Sequence, residues 1–310
     1  MSDPARRLAH TLEDRGLRWE VLSHEMLPGG ALTWLRVTPA ASDLASAMLA
    51  RDLVIEETGV VAKLRVLNPS RGAVLLPADL VVDGGKQARV VERSVIIPSF
   101  AVCEVPVRCV EAGRWQPQNA QTAAKFDIAS TATTGSREEL MRMKQQTLQK
   151  RNAYELDQNK VWEHVDAELS RTRCTSQTRS YTAFLSMRAA RVAEARRLDI
   201  QPPSPANALA LVRKSSVWIE VFPTRDDMCS IVPTVVADAL EPGGAADESP
   251  MSLGSRTELA IHAIQSAALA AIPPLPATIG DSFALEGAGT TGFALIYGGR
   301  VAHLVATVAC

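Results

Sequence analysis

Apolar and polar positions alternate in short bursts over the first 110 residues. Segments 31–37, 63–67, 73–76, 80–82, 89–91, 94–97 and 105–110 either alternate or carry β-branched runs, and each predicts a strand. Asn68-Pro69-Ser70, Asp83-Gly84-Gly85 and Pro98-Ser99 separate them as turns. Short strands at this spacing predict an antiparallel sandwich or barrel. One short helix, over residues 43–51, is expected to interrupt them.

The period then lengthens. Ser136-Arg137-Glu138-Glu139 has the form of a capping box, and Leu140, Lys144 and Leu148 follow it on one helical face. Val161, Val165 and Leu169 repeat at i, i+4, i+8 beside Trp162, and a third helix is expected over 181–198. Gln201-Pro202-Pro203-Ser204-Pro205 is a rigid stop. Residues 241–250, rich in Gly and Pro, read as a mobile surface loop. The last third mixes elements. Hairpins are expected over 208–222 and 292–308, the second turning at Gly298-Gly299. Between them, Thr224-Arg225-Asp226-Asp227 and Ser255-Arg256-Thr257-Glu258 each open a helix, the first kinked at Pro233. The two hairpins align at a constant offset, which fits either an old duplication or chance similarity.

Together these elements predict an α+β protein. An antiparallel, β-sandwich-like N-terminal half, residues 1–120, packs on a helix-rich α+β half, residues 121–310, with a small sheet of its own, the two forming one compact unit.

Composition adds limits. The 310 residues are 46% hydrophobic and 22% charged, enough for a sizeable core. The formal net charge of -1 gives no basic excess for nucleic acid. Residues 1–20 lack the apolar stretch of a signal peptide, and no apolar run approaches the ~18 residues of a membrane span. The five cysteines are scattered without a CxxC, as expected of reduced thiols in the cytoplasm. The five histidines show no metal-ligand spacing, so no metal is expected, and no cofactor loop is legible. The surface is compatible with a homo-oligomer.

Candidate chemistry concentrates in Gly84-Gly85-Lys86-Gln87-Ala88-Arg89 and Cys109-Val110-Glu111-Ala112-Gly113-Arg114-Trp115. Polar groups on core-grade strands must be paired. Arg89 and Glu111 are expected on neighbouring strands, either as a ligand site or as a buried brace. Cys109 reads either as a thiolate activated by nearby cations or as a small buried hydrophobe. Trp115 either stacks on a ligand ring or closes a core edge. Two guanidiniums with one carboxylate leave a positive surplus that must open to water or hold an anion, phosphate fitting best. The basic, hydroxyl-rich stretch 171–178 before a helix either holds phosphate or only caps.

These same residues carry a resemblance. Gly85-Lys86-Gln87-x-Arg89, Ser94-x-x-x-Pro98 and Val105-Pro106-Val107-x-Cys109-Val110-Glu111-x-Gly113-Arg114-Trp115 resemble a bacterial family. Its name records genes lying near ADP-ribosylglycohydrolases and rhodanese/phosphatase-superfamily proteins. Val161-Trp162-Glu163, Val221-Phe222-Pro223, Ala237-Asp238-Ala239-Leu240, Ala294-Leu295 and Val301-x-His303-Leu304 are similar to its later parts. The chain differs from the family pattern at Ala88, where a polar residue is expected, and at Arg108, where a small one is. The resemblance implies a part in handling ADP-ribose or NAD-derived nucleotides. Glu111 and Cys109 would then be the catalytic candidates. Lys86, Gln87, Arg89, Arg114, Trp115 and His303 would bind a small phosphorylated ligand. The other reading is a non-catalytic interaction or scaffold protein in which the same residues brace the sheet.

Overall fold

A computed structural model of the protein describes residues 11–50, 52–117, 124–241, 250–287 and 289–309. The first two strands, β1 (Arg18–Leu27) and β2 (Gly30–Thr38), are followed by β3 (Ala45–Ser46), β4 (Val54–Glu57) and β5 (Lys63–Leu67). Next come β6 (Val74–Leu76), β7 (Leu80–Gly84), β8 (Arg89–Val91), β9 (Val95–Ile97), β10 (Val102–Cys109) and β11 (Lys125–Thr131). Three helices follow, α1 (Thr134–Arg151), α2 (Gln158–Thr172) and α3 (Tyr181–Arg197). The hairpin β12 (Ala208–Arg213) and β13 (Ser216–Val221) leads to α4 (Arg225–Ala239) and α5 (Pro250–Ser266). The described chain ends with β14 (Ala268–Ile272), β15 (Asp281–Gly287), β16 (Thr290–Tyr297) and β17 (Arg300–Ala309).

These strands form three sheets, almost entirely antiparallel. Six close into a barrel in the order β10-β5-β4-β11-β7-β8, and β3-β6-β9 packs beside it, with β3 parallel to β6. The sandwich expected of the N-terminal half is thus a closed barrel. Closure depends on β10. Its alternating Cys103, Val105, Val107 and Cys109 fill the interior, and its pairing passes from β5 to β8 at Pro106-Val107. One strand that holds both neighbours leaves no edge, which two stacked sheets would not achieve.

The other sheet is not small. It has eight strands in the order β1-β2-β12-β13-β17-β16-β15-β14. Residue 120 therefore does not divide the sheets: β1 and β2 pair into the C-terminal sheet, and β11 completes the barrel. The reason lies in β2. Leu32 and Trp34 face one core, while Ala31, Leu35 and Val37 face another. A strand apolar on both faces needs a central position, and pairing between β1 and β12 gives it one. Helix α5 covers one face through Leu253, Ala260 and Ile264; α4 and α1 cover the other through Met228, Ile231, Val235 and Met141. The two expected hairpins form and lie side by side, joined through β13 and β17.

Local signals explain most helix ends. Thr224 caps α4 and Ser180 caps α3. Other expectations shift. The cap of α1 is Thr133, whose hydroxyl accepts the Ser136 N–H, so Ser136 is the third helical residue and not the cap. Helix α5 starts at Pro250, ahead of Ser255, and α4 runs on past Pro233. The described part of the expected 43–51 helix, residues 43–50, forms turns and β3 instead. The Ser46 N–H is held by Asp227 and the Ala47 N–H by the Leu75 carbonyl, so tertiary hydrogen bonds outcompete helical ones. Most of the expected 241–250 loop lies outside the described residues.

Gly84 sits at φ +140, and a Cβ there would meet the Lys125 carbonyl oxygen at 2.2 Å. Gly84→Ala is expected to separate β7 from β11 and to lower stability by more than about 1 kcal/mol in a urea titration. Gly72→Ala, with open space around it, is the control expected to leave the midpoint unchanged.

Candidate functional site

The residues singled out by sequence fall into two separate clusters. In the first, the β8–β10 register sets Arg89 opposite Cys109, not Glu111. Arg89 points into the barrel end, where it donates to the Gln87 carbonyl at 2.8 Å and lies 3.8 Å from Glu57. Gln87 is buried beside it. Its Nε2 donates to the Glu111 carbonyl at 2.9 Å, and its Oε1 accepts from the Cys109 thiol at 3.2 Å. Burial pushes the Cys109 thiol pKa up; the Arg89 charge does not offset it. The geometry is that of a protonated, buried thiol.

Glu111 takes the Ala88 N–H at 3.0 Å and the Arg114 guanidinium at 2.7 Å. Burial opposes ionisation of Glu111, but the hydrogen bonds from Arg114, the Ala88 N–H and the Thr178 hydroxyl hold its pKa below the usual value. Arg114 in turn reaches the Gly85 carbonyl at 2.8 Å and Asp83 at 3.3 Å. The expected positive surplus is absent, because Asp83 and Glu57 join the two arginines. The stretch 171–178 serves this cluster from outside: Gly113 donates to the Thr178 carbonyl, close enough that a Cβ on Gly113 would lie 3.0 Å from Thr178 Cα. Trp115 is 56% exposed and Lys86 is exposed at the rim.

His303 belongs to the second cluster, deep between the barrel, α1 and the eight-stranded sheet. Its Nε2 meets Glu220 at 2.9 Å and its Nδ1 meets Ser94 Oγ at 2.8 Å. Glu220 on β13 also receives a bidentate guanidinium from Arg137 on α1, which lies over the Trp218 ring. Two turns along α1, Lys144 donates to Asp79 at 3.1 Å and to the Glu92 carbonyl at 2.9 Å. Asp79, at φ +62 in the turn before β7, lies 3.9 Å from Arg137 Nε. Asp is among the few residues that occupy this left-handed region at little cost. All these groups are buried. Burial raises the Glu220 pKa, but Arg137 and the His303 hydrogen bond outweigh it and bring it down to about 2.

A third region, not predicted, opens at the start of α1. A cleft of about 400 Å³ is lined by Thr134, Gly135, His164, Arg171, Arg188 and Asp238, among others. The Thr134 N–H is taken by Asp238 at 2.6 Å, the Ser136 N–H by Thr133, and the Gly135 N–H has no partner among the described residues. Thr134 is buried, with its hydroxyl as well as its N–H turned to Asp238. On the other side of Arg171 and Arg188 the surface opens into a hollow of about 630 Å³ that includes Arg191. There Arg188 and Arg191 meet Glu241 Oε1 and Arg171 lies 4.0 Å from its Oε2, while Arg188 also pairs with Asp238 and Arg171 with Glu168 at 2.7 Å. Sequence gave one pointer to this region, the Arg171 stretch. The other residues lie far apart along the chain and carry no motif.

Among the described residues, no group of three or more His, Cys, Asp or Glu is placed to hold a metal, and no helix is long and apolar enough to cross a membrane. The four described cysteines are free. The model of the family described as "ARG and Rhodanese-Phosphatase-superfamily-associated Protein domain" matches residues 32–307. No curated protein and no solved structure matches the chain.

Two variants test the bracing roles. Arg114→Ala leaves Glu111 buried without its cation and is expected to cost about 3 kcal/mol or more. Arg179→Ala, which breaks the exposed pair with Asp166, is expected to cost about 0–1 kcal/mol. Equal shifts in urea midpoint would refute the contrast. For Glu220, the folded pKa lies below the unfolded value of about 4.3. Its stabilisation is therefore complete above about 4.3 and is lost as pH falls toward about 2. Glu220→Gln is expected to lower stability at neutral pH by about 3–5 kcal/mol and to flatten the acid limb of a stability–pH curve across that window.

Proposed function

The chain belongs to the family of ARG and Rhodanese-Phosphatase-superfamily-associated proteins, and from that premise we propose that it binds a phosphorylated nucleotide of the ADP-ribose or NAD-derived class. The family name, which ties the domain to ADP-ribosylglycohydrolases, supports the ligand class. The observation that carries the reading is the first turn of α1. The exposed Gly135 at the helix N-terminus lines one cleft with Arg171 and Arg188, and the same two arginines line an adjoining hollow with Arg191. A helix N-terminus with nearby guanidiniums favours phosphate. Arg171, Arg188 and Arg191 are balanced by Glu168, Asp238 and Glu241, carboxylates with which a polyphosphate would compete for the guanidiniums.

The cluster of Gln87, Arg89, Cys109, Glu111 and Arg114 is the less favourable ligand site, because its donors end on main-chain carbonyls and carboxylates of the barrel. For that cluster the bracing reading is favoured by one fact: Nε, Nη1 and Nη2 of Arg114 are all engaged. Trp115 and Lys86 remain free at its rim for a partner or a ring.

Titration calorimetry with ADP-ribose, NAD and ribose 5-phosphate tests the proposal. ADP-ribose is expected to bind the full chain. Arg171→Ala is expected to weaken it by about tenfold, the scale of a charge-assisted hydrogen bond, with an unchanged melting temperature. Glu241→Gln is expected to strengthen it by removing the competing carboxylate. No binding of any of the three ligands, or unchanged affinity in both variants, would sink the reading.

A further inference from the structure

Along the exposed flank of α1 runs a groove of about 720 Å³ between the helix and the ends of β16 and β17. Most of the side chains that line it are polar. Hydroxyls come from Ser216, Thr290, Thr291 and Thr307, and amides from Gln145 and Gln149; no aromatic or long aliphatic side chain contributes. Two of these residues carry polar atoms that are shut from water and unpartnered: Oε1 of Gln145, 7% exposed, and Oγ1 of Thr290, 5% exposed. Buried polar atoms normally find a partner, and each exception asks for an explanation. The Gln145 amide nitrogen reaches only as far as Glu286, at 3.5 Å.

Charge restricts what fits. Glu138, Glu139 and Glu286 line the groove; Arg142 in the wall pairs with Glu139 and Arg213 behind it with Glu138, which leaves Glu286 without a cation among the lining residues. A phosphate would be repelled here. A neutral group with several hydroxyls would not: it donates to carboxylates and to Gln145 Oε1, and it exchanges hydrogen bonds with Thr290 Oγ1. The groove also shares Gly135 and Glu139 with the cleft at the first turn of α1.

We propose that this groove is a sugar subsite, taking a ribose-like ring through Gln145 and Thr290. Its order within a ligand, ring in the groove and phosphate at the start of α1, rests on the nucleotide reading above. The subsite itself stands on the two unpartnered atoms and the charge of the wall.

Ligand-detected NMR with free D-ribose, which has no phosphate, tests it on the full chain. Ribose is expected to bind, inorganic pyrophosphate not to displace it, and Thr290→Val to weaken it about tenfold. Because Oγ1 has no partner, Thr290→Val is expected to keep or raise the melting temperature, so loss of binding cannot be ascribed to unfolding. Gln145→Leu provides a second loss if it folds. Absence of ribose binding, displacement by pyrophosphate or by a polyamine, or unchanged binding in Thr290→Val would each overturn the subsite. If ribose binds but ADP-ribose binds no more tightly, the nucleotide reading fails and the subsite stands.

Discussion

Arg137 and Glu220 meet where water is excluded, between a helix and a strand that come from distant parts of the chain. Neither charge is tolerable there alone, since an unpaired ion in the interior costs several kcal/mol. Each therefore forces the other's element into place. Lys144 and Asp79 repeat the arrangement two turns along α1, and His303 and Ser94 extend it to β17 and to the barrel. The ionic groups balance as two cations and two carboxylates, with His303 linking Glu220 to Ser94. Hydrophobic burial is non-directional and would allow α1 to slide or rotate against the sheet. The paired ions do not, which fixes α1 against both the barrel and the eight-stranded sheet.

That fixing has a consequence for the surface. Helix α1 shows its inner face to the ion network, and Gly135 in its first turn and its outer flank to solvent. The cleft at Thr134-Gly135 and the groove at Gln145 both lie on this one helix. Their geometry is thus inherited from Arg137 and Lys144, which touch neither opening. A buried network that orients a surface helix pre-organises whatever binds along it, lowering the ordering cost on binding.

The contrast between the clusters is one of saturation. Arg114 spends its donors on Glu111, Asp83 and the carbonyls of Gly84 and Gly85, which ties the barrel's β7–β8 turn to the segment after β10. Arg171, Arg188 and Arg191 are held by side-chain carboxylates alone, Glu168, Asp238 and Glu241, and Arg171 and Arg191 stand at the surface. Opposite charges closed within a barrel act as a clasp; those at the surface keep donors that no main-chain carbonyl takes.

Much of the fold was legible along the chain. The strands at 63–67, 80–82 and 89–91, the hairpins at 208–222 and 292–308, the helix over 181–198 and the cap at Thr224 follow from alternation, turn residues and local hydrogen bonding, which act over a few residues. The family resemblance was legible too, because it rests on residue types at fixed spacing, such as Gly85 at φ +46 and Gly113 close against the Thr178 backbone. The choice of a closed barrel over a sandwich, the transfer of β1 and β2 to the C-terminal sheet, the turns at 43–50 and the partners of Glu111 and His303 were not. They depend on which elements compete for the same hydrogen bonds and the same buried space. The charged residues stood out in sequence because their types are unusual on core strands. Whether such a charge is a clasp or a site depends on what lies opposite it, and that is decided only when segments hundreds of residues apart come into contact.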